Sequence, residues 1–138
     1  MQSRLNPYLS FKDTARSAME FYQTVFGGKL ESHTFKEYNA SPDPAEEDKI
    51  MHAMLVADNG ITFMAADTPV SMEFKSGNNM SMSLSGDNDA ELSGYFQKLS
   101  EGGTVTMPLE QAPWGDKFGM LVDKFGVTWL VNISAPKA

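Results

Sequence analysis

Phe21-Tyr22-Gln23-Thr24-Val25-Phe26-Gly27-Gly28 and Tyr95-Phe96-Gln97-Lys98-Leu99-Ser100-Glu101-Gly102-Gly103 close two stretches of the same design. Each stretch opens on a short strand-like run, Leu9-Ser10-Phe11-Lys12-Asp13 in the first and Leu84-Ser85-Gly86-Asp87 in the second. Apolar residues at helical spacing follow, then an aromatic pair, then Gly-Gly. Self-similarity of this kind marks one supersecondary unit used twice. In the first copy Ala15, Ala18, Met19, Tyr22, Val25 and Phe26 fall along one helical face. Asp13 is the expected N-cap, because its carboxylate can accept an orphan N–H of the first turn. Gly27 supplies the left-handed residue that ends the helix. In the second copy Asp89 is the expected cap, Leu92, Tyr95, Phe96 and Leu99 form the stripe, and Gly102 stops it. Both stripes read as core and not as cofactor boxes.

Working outward, strand patterns occur near residues 7–11, 30–37, 50–56, 61–66, 79–85, 104–107, 119–122 and 127–133. Asp58-Asn59-Gly60 separates two of them and predicts a tight type I′ hairpin, since Asn-Gly tolerates positive φ. Lys124-Phe125-Gly126 plays the same part before the last strand. Each half therefore reads βαβββ, and the class is α+β. Each helix must bury one face of its own sheet, which leaves the opposite faces to meet around a cavity. The expected architecture is a cupped, incomplete eight-stranded mixed barrel with its helices outside. It makes one domain over residues 1–138, with modules at about 1–68 and 78–138. The polar segments 38–49, 67–78 and 108–117 are the expected pocket rims.

The chain has 138 residues, enough for one core without staples. It has no cysteine, so disulfides and thiolate metal sites are excluded. No apolar h-region opens the chain and no long apolar run follows, which predicts neither a secretory signal nor a membrane span. A cytoplasmic location is the default expectation. The formal net charge of −7, with Lys and Arg scattered singly, argues against nucleic acid as a partner.

Asp13-x-Ala15-x-x-Ala18-Met19-Glu20-Phe21-Tyr22-x-x-Val25-Phe26-Gly27-Gly28 resembles the first helix of vicinal-oxygen-chelate (glyoxalase/bleomycin-resistance/dioxygenase) proteins. Met51-His52-Ala53, Gly102-Gly103-x-Val105-x-Met107-Pro108-Leu109, Trp114-Gly115 and Asp123-Lys124-Phe125-Gly126-Val127-x-Trp129 are similar to the PhnB-like branch in particular. The resemblance spans nearly the whole chain and implies paired βαβββ modules, a cupped sheet and commonly a homodimer. Members of that branch are often labelled demethylubiquinone methyltransferases. No Gly-rich strand–helix turn of the kind that binds a methyl donor occurs here, so that activity is not expected.

Catalytic members of the superfamily hold a divalent ion through His and Glu side chains on the first, fourth, fifth and eighth strands. Strand alternation sorts the faces here. Pro7, Leu9 and Phe11 face the helix, leaving Asn6, Tyr8 and Ser10 in the cup. Ile61 and Phe63 pack, leaving Met64 inward. Met80, Met82 and Leu84 pack, leaving Asn79, Ser81 and Ser83. Val127, Trp129 and Val131 pack, leaving Leu130. The four positions that the resemblance makes ligands are thus Asn6, Met64, Asn79 and Leu130. None is His or Glu, so no family metal and no other cofactor is expected.

Two histidines remain. His52 is expected to point into the cup, as a proton-transfer group, a hydrogen-bond donor or a half-buried imidazole satisfied by a carbonyl. It is the only catalytic candidate. His33 reads as a solvated strand residue. Ten methionines is a high count, and Met51, Met54, Met64 and Met107 are candidates for the cup's border, where thioethers adapt to varied apolar ligands or simply fill core gaps. Trp114 is either a pocket lid or packing. Glu46-Glu47-Asp48 reads as a solvated run, and Asp67 as the cap of the turn into Thr68-Pro69 or a ligand contact.

The expected function is binding of a small apolar or amphipathic molecule by Asn6, Tyr8, His52, Met54, Met64, Asn79, Trp114 and Leu130, without the family metal. The alternatives are a metal-dependent or His-assisted enzyme of lyase, dioxygenase or transferase type, and a module whose concave face binds a protein segment.

Overall fold

The computed structural model describes residues 3–39, 41 and 43–135. The chain forms two compact units, Met1–Ser76 and Gly77–Ala138. The first contains β1 (Tyr8–Phe11), α1 (Ala15–Phe26), β2 (Lys29–Thr34), β3 (Ile50–Val56) and β4 (Thr62–Asp67). The second contains β5 (Met82–Gly86), α2 (Asp89–Ser100), β6 (Thr104–Gln111), β7 (Lys117–Val122) and β8 (Thr128–Ile133). Each sheet is mixed and open, ordered β1-β4-β3-β2 and β5-β8-β7-β6. In each, the first strand runs parallel to the last and the other pairs are antiparallel. The βαβββ order and the α+β class follow the sequence expectation in both halves.

The two stripes read from the sequence are the buried residues of α1 and α2, side chain for side chain. Under α1 the Phe63 ring meets Tyr22 edge-on at 5.4 Å and Phe26 at 5.9 Å. Trp129 and Val131 of β8 and Leu121 of β7 are buried with the α2 stripe. The double glycine after each helix has one physical cause. A Cβ on Gly28 would fall onto the Val56 carbonyl, and a Cβ on Gly103 onto the Val122 carbonyl. Only glycine lets the second strand of each module start so close to the third.

The helix caps differ from expectation. Asp13 does not cap α1; it sits at φ 70° and its carboxylate reaches Lys49 Nζ at 2.6 Å. Thr14 occupies the cap position without a side-chain bond. The Ala15 N–H instead donates to Asp67 Oδ1 at 2.9 Å, while the Ile50 N–H donates to Asp67 Oδ2 at 2.9 Å. Asp67 is therefore neither a ligand contact nor the cap of its own turn; the Thr68 N–H is taken by the Phe11 carbonyl. In the second module the cap is Asn88, one residue before the expected Asp89, accepting from the Glu91 N–H at 3.1 Å.

The β3–β4 turn is not type I′. The Gly60 N–H bonds the Ala57 carbonyl, and Gly60 alone in that turn carries positive φ, which makes a type I turn followed by a left-handed glycine. Asp123 and Gly126 repeat the arrangement between β7 and β8. The repeats diverge at one paired site. Ala57 and Phe63 in the first module correspond to Asp123 and Trp129 in the second. Asp123 Oδ2 accepts the Trp129 indole N–H at 2.9 Å, and its Oδ1 accepts from Phe125 and Val127. A buried indole needs an acceptor that a phenyl ring does not.

Other expectations are corrected by tertiary context. Glu46 is not solvated: it is 2 % exposed. It ends a short 3₁₀ turn (Pro44–Glu46), accepting from Ser41 Oγ and the Val70 N–H at 2.9 Å each. Strand β6 runs past Pro108 to Gln111 and β7 starts at Lys117, so half of the expected rim loop, 108–117, is strand. Proline is tolerated there because β6 is an edge strand with register irregularities on either side of Met107. Strand β5 begins only at Met82, and Met80 is 81 % exposed and not packed.

Removing the Asp67 carboxylate leaves two buried N–H groups without their acceptor. Asp67→Ala should cost about 2–4 kcal/mol in urea unfolding; a loss below ~0.5 kcal/mol would mean both donors find other acceptors. A double-mutant cycle of Asp123→Ala and Trp129→Phe should show a coupling of about 1.5–3 kcal/mol, the range for a hydrogen bond to a charged group. Additive single losses would show that the indole bond contributes nothing.

Candidate functional site

With α1 covering one face of the first sheet, alternation sends the other side chains to the open face. Phe63, Ala65 and Asp67 are buried beneath the helix, whereas Met64 and Ala66 are only half-buried. Register places Tyr8 beside Met64 across β1–β4, and Met54 beside Met64 across β3–β4. His52 lies two residues before Met54 on the same face. Its Nε2 is 3.4 Å from Met64 Sδ, and its ring centroid is 6.0 Å from that of Tyr8. Desolvation raises the Tyr8 phenol above its ordinary pKa. The structure thus gathers Tyr8, His52, Met54 and Met64 into one patch, with Asn6 half-buried just before β1.

His33 is the register partner of His52 across β2–β3 but is otherwise engaged. Its Nδ1 is 2.9 Å from Glu37 Oε2, and its ring meets Tyr38 edge-on at 5.3 Å.

On the second sheet Leu130 is half-buried on the open face, beside Ser83 and Met120. Phe118 and Met120 share this face and went unremarked in the sequence. The alternation Phe118-Gly119-Met120-Leu121 reveals them once β7 is started at Lys117 instead of Gly119. Trp114 is 63 % exposed, on a tight hairpin closed by Gly115 N–H to Ala112 carbonyl and by Ala112 N–H to Asp116 carbonyl. Its ring meets Phe118 at 5.9 Å. The indole is thus carried on a two-bond hairpin and packs against Phe118. Asn79 lies outside β5 and is exposed, so it is not brought onto the open face as a strand residue.

Polar anchors border the second sheet. Asp116 accepts from the Ala135 N–H at 2.9 Å and from Asn132 Nδ2 at 3.1 Å. These bonds, the backbone one first, hold its carboxyl below the usual aspartate range. Asp89 is lowered likewise, chiefly by the Lys117 ammonium 2.6 Å away and then by the Ser93 hydroxyl.

A hard divalent ion does not fit these donors. Met64 and Leu130 offer a thioether and a hydrocarbon where such an ion needs imidazole or carboxylate. Among the described residues no group of three or more His, Cys, Asp or Glu side chains is placed to hold a metal. No helix there is long and apolar enough to cross a membrane.

Residues 3–132 match the family described as 3-demethylubiquinone-9 3-methyltransferase. The chain belongs to that family. It is PhnB-like, and it has the fold of glyoxalase/bleomycin-resistance/dioxygenase proteins, as the sequence resemblance implied. Its fold is similar to that of protein PA1353 from Pseudomonas aeruginosa, at 38% identity and TM-score 0.82, covering 98% of this chain and 100% of that one. A putative 3-demethylubiquinone-9 3-methyltransferase, PhnB protein, from Bacillus cereus is 30% identical with TM-score 0.77, covering 96% and 100%. A glyoxylase/bleomycin resistance protein/dioxygenase domain from Frankia sp. EAN1pec shares the fold at 12% identity and TM-score 0.66, covering 100% and 96%.

A carboxyl whose folded pKa is depressed stabilises the fold above its unfolded pKa and loses that contribution as pH falls through the folded value. The Tm gap between the natural protein and Asp116→Asn should therefore be widest near neutral pH and close in acid. A gap independent of pH would assign the effect to packing.

Proposed function

We propose that the chain binds a small apolar or amphipathic molecule against the open faces of its sheets, without the divalent ion of its catalytic relatives. The observation that carries this reading is the replacement of ligand chemistry by Met64 and Leu130 at two family ligand positions, both on open, half-buried faces. Apolar side chains left partly exposed favour an apolar occupant, because covering them removes their area from water. Met54 and Met64 are unbranched and adapt to its shape. On the first sheet Tyr8, His52 and Asn6 supply the few polar contacts that orient such a ligand; on the second sheet Leu130 offers an open face of its own, with Trp114 beside Phe118. Asn79 keeps its place in the proposal only as a residue of the segment leading into β5.

A second reading has its own observation. His52 and Tyr8 share one face, and a histidine beside a phenol is a plausible acid–base pair for a lyase- or transferase-type step. Methyl transfer is no part of either reading, since the strand–helix turns, Lys12-Asp13-Thr14 and Asp87-Asn88, contain no glycine. A homodimer in the cytoplasm completes the proposal.

Tryptophan emission tests the first reading, because Trp129 is buried and Trp114 exposed. A screen of amphipathic aromatic compounds should find one that shifts the emission, with the shift lost in Trp114→Phe. Met64→Glu and Leu130→Glu should each weaken binding by at least ~10-fold, since a carboxylate resists desolvation. Stoichiometric Mn²⁺, Ni²⁺ or Zn²⁺ binding, with a turnover abolished by His52→Ala, would replace binding with catalysis.

A further inference from the structure

We propose that His52, Met54 and Met64 form a binding site for a soft monovalent cation, Cu(I), on the open face of the first sheet. Thioether and imidazole are the protein donors that favour Cu(I), and oxygen-seeking ions pass them over. Three such donors are brought together here by strand register alone. Met54 and Met64 are direct partners across β3–β4, a separation of about 5 Å between Cβ atoms that two flexible thioethers span readily. His52 stands on the same face, two residues before Met54.

The contact between His52 Nε2 and Met64 Sδ is the informative distance, at 3.4 Å. As a hydrogen bond it is poor, since a thioether is a weak acceptor. As the edge of a coordination polyhedron it fits. An ion ~2.0 Å from an imidazole nitrogen and ~2.3 Å from a sulfur, 3.4 Å apart, subtends an angle of about 104°. That lies within about 6° of the tetrahedral angle without moving either atom. The site is half-buried, and Tyr8, register partner of Met64, flanks it. Partial burial disfavours a doubly charged ion more than a singly charged one.

The neighbouring imidazole and carboxylates are otherwise engaged. His33 and Glu37 bond each other, and Glu31, register partner of Met54, pairs with Lys29 Nζ at 3.1 Å. The proposal is independent of the small-molecule reading, because it needs only these three side chains of one module.

The full chain should be titrated with Cu(I) under anaerobic reducing conditions against a chromophoric Cu(I) chelator. One Cu(I) per chain is expected. Met64→Leu, Met54→Leu and His52→Gln should each lower affinity by at least ~10-fold, the lower bound found even for groups that only support a ligand. Leucine conserves methionine's volume, so folding is retained. Met72→Leu and Met80→Leu, at exposed methionines, should change nothing. X-ray absorption of the natural protein with Cu(I) should show sulfur together with nitrogen donors, a readout that needs no variant to fold. Binding that survives all three ligand substitutions, or sulfur-free coordination, would overturn the site. So would failure to withhold one equivalent from the chelator.

Discussion

Asp67 closes β4 with a carboxylate that points away from the open face and into the first module's interior. There it takes the first free N–H of α1 with one oxygen and the N–H that opens β3 with the other. One side chain thus ties helix, third strand and fourth strand together, at the end of the sheet where all three converge. The charge is tolerated at 4 % exposure because each oxygen has a backbone donor. Once β4 is fixed in this way, alternation leaves no freedom. Phe63 and Ala65 lie under the helix, and Met64 must emerge on the other side, between Tyr8 and Met54.

The second module reaches the same fold by other contacts, which separates what the architecture requires from what is incidental. Both modules need glycine where the second strand passes the third, and both need a left-handed glycine in the last hairpin. The cap is negotiable: a distant aspartate serves α1, and Asn88 within its own turn serves α2. The aromatic at the start of the last strand is negotiable too, provided its chemistry is matched. Trp129 is paired with Asp123, whereas Phe63 sits with Ala57, so the repeat changed two residues together. The Lys49–Asp13 and Lys117–Asp89 pairs occupy similar places but are largely exposed, and such pairs contribute little to stability.

The elements that local pattern governs were legible in the sequence. The helical stripes and the alternating strands express short-range periodicity, and Tyr8, Met64 and Leu130 were assigned to the correct face by that rule. What escaped depends on contacts far apart in the chain. Asp67 and Ala15 are separated by 52 residues, and Asp13 looks like a better cap until its backbone turns left-handed. Glu46 belongs to an acidic run that reads as surface, and only the approach of Val70 makes it interior. Pro108 ends a central strand but not an edge strand, and edge position is a property of the sheet. Asn79 falls into β5 by a pattern that continues three residues beyond the pairing.

A thioether at Met64, where the family resemblance implies a hard donor in catalytic members, carries more than one consequence. A thioether brings no charge, so the open face keeps its apolar character and can be covered by a ligand without stranding an ion. It also brings a polarisable sulfur to within 3.4 Å of the His52 imidazole. An oxygen-seeking ion cannot use that pair, because it would forfeit its hydration for two donors that it binds weakly. On the proposed reading the same sheet gives up the Lewis acid that polarises vicinal oxygens and presents a site selective for soft partners, whether an apolar molecule or a soft cation. The choice was made at a single alternating position, and the register set by Asp67 keeps it there.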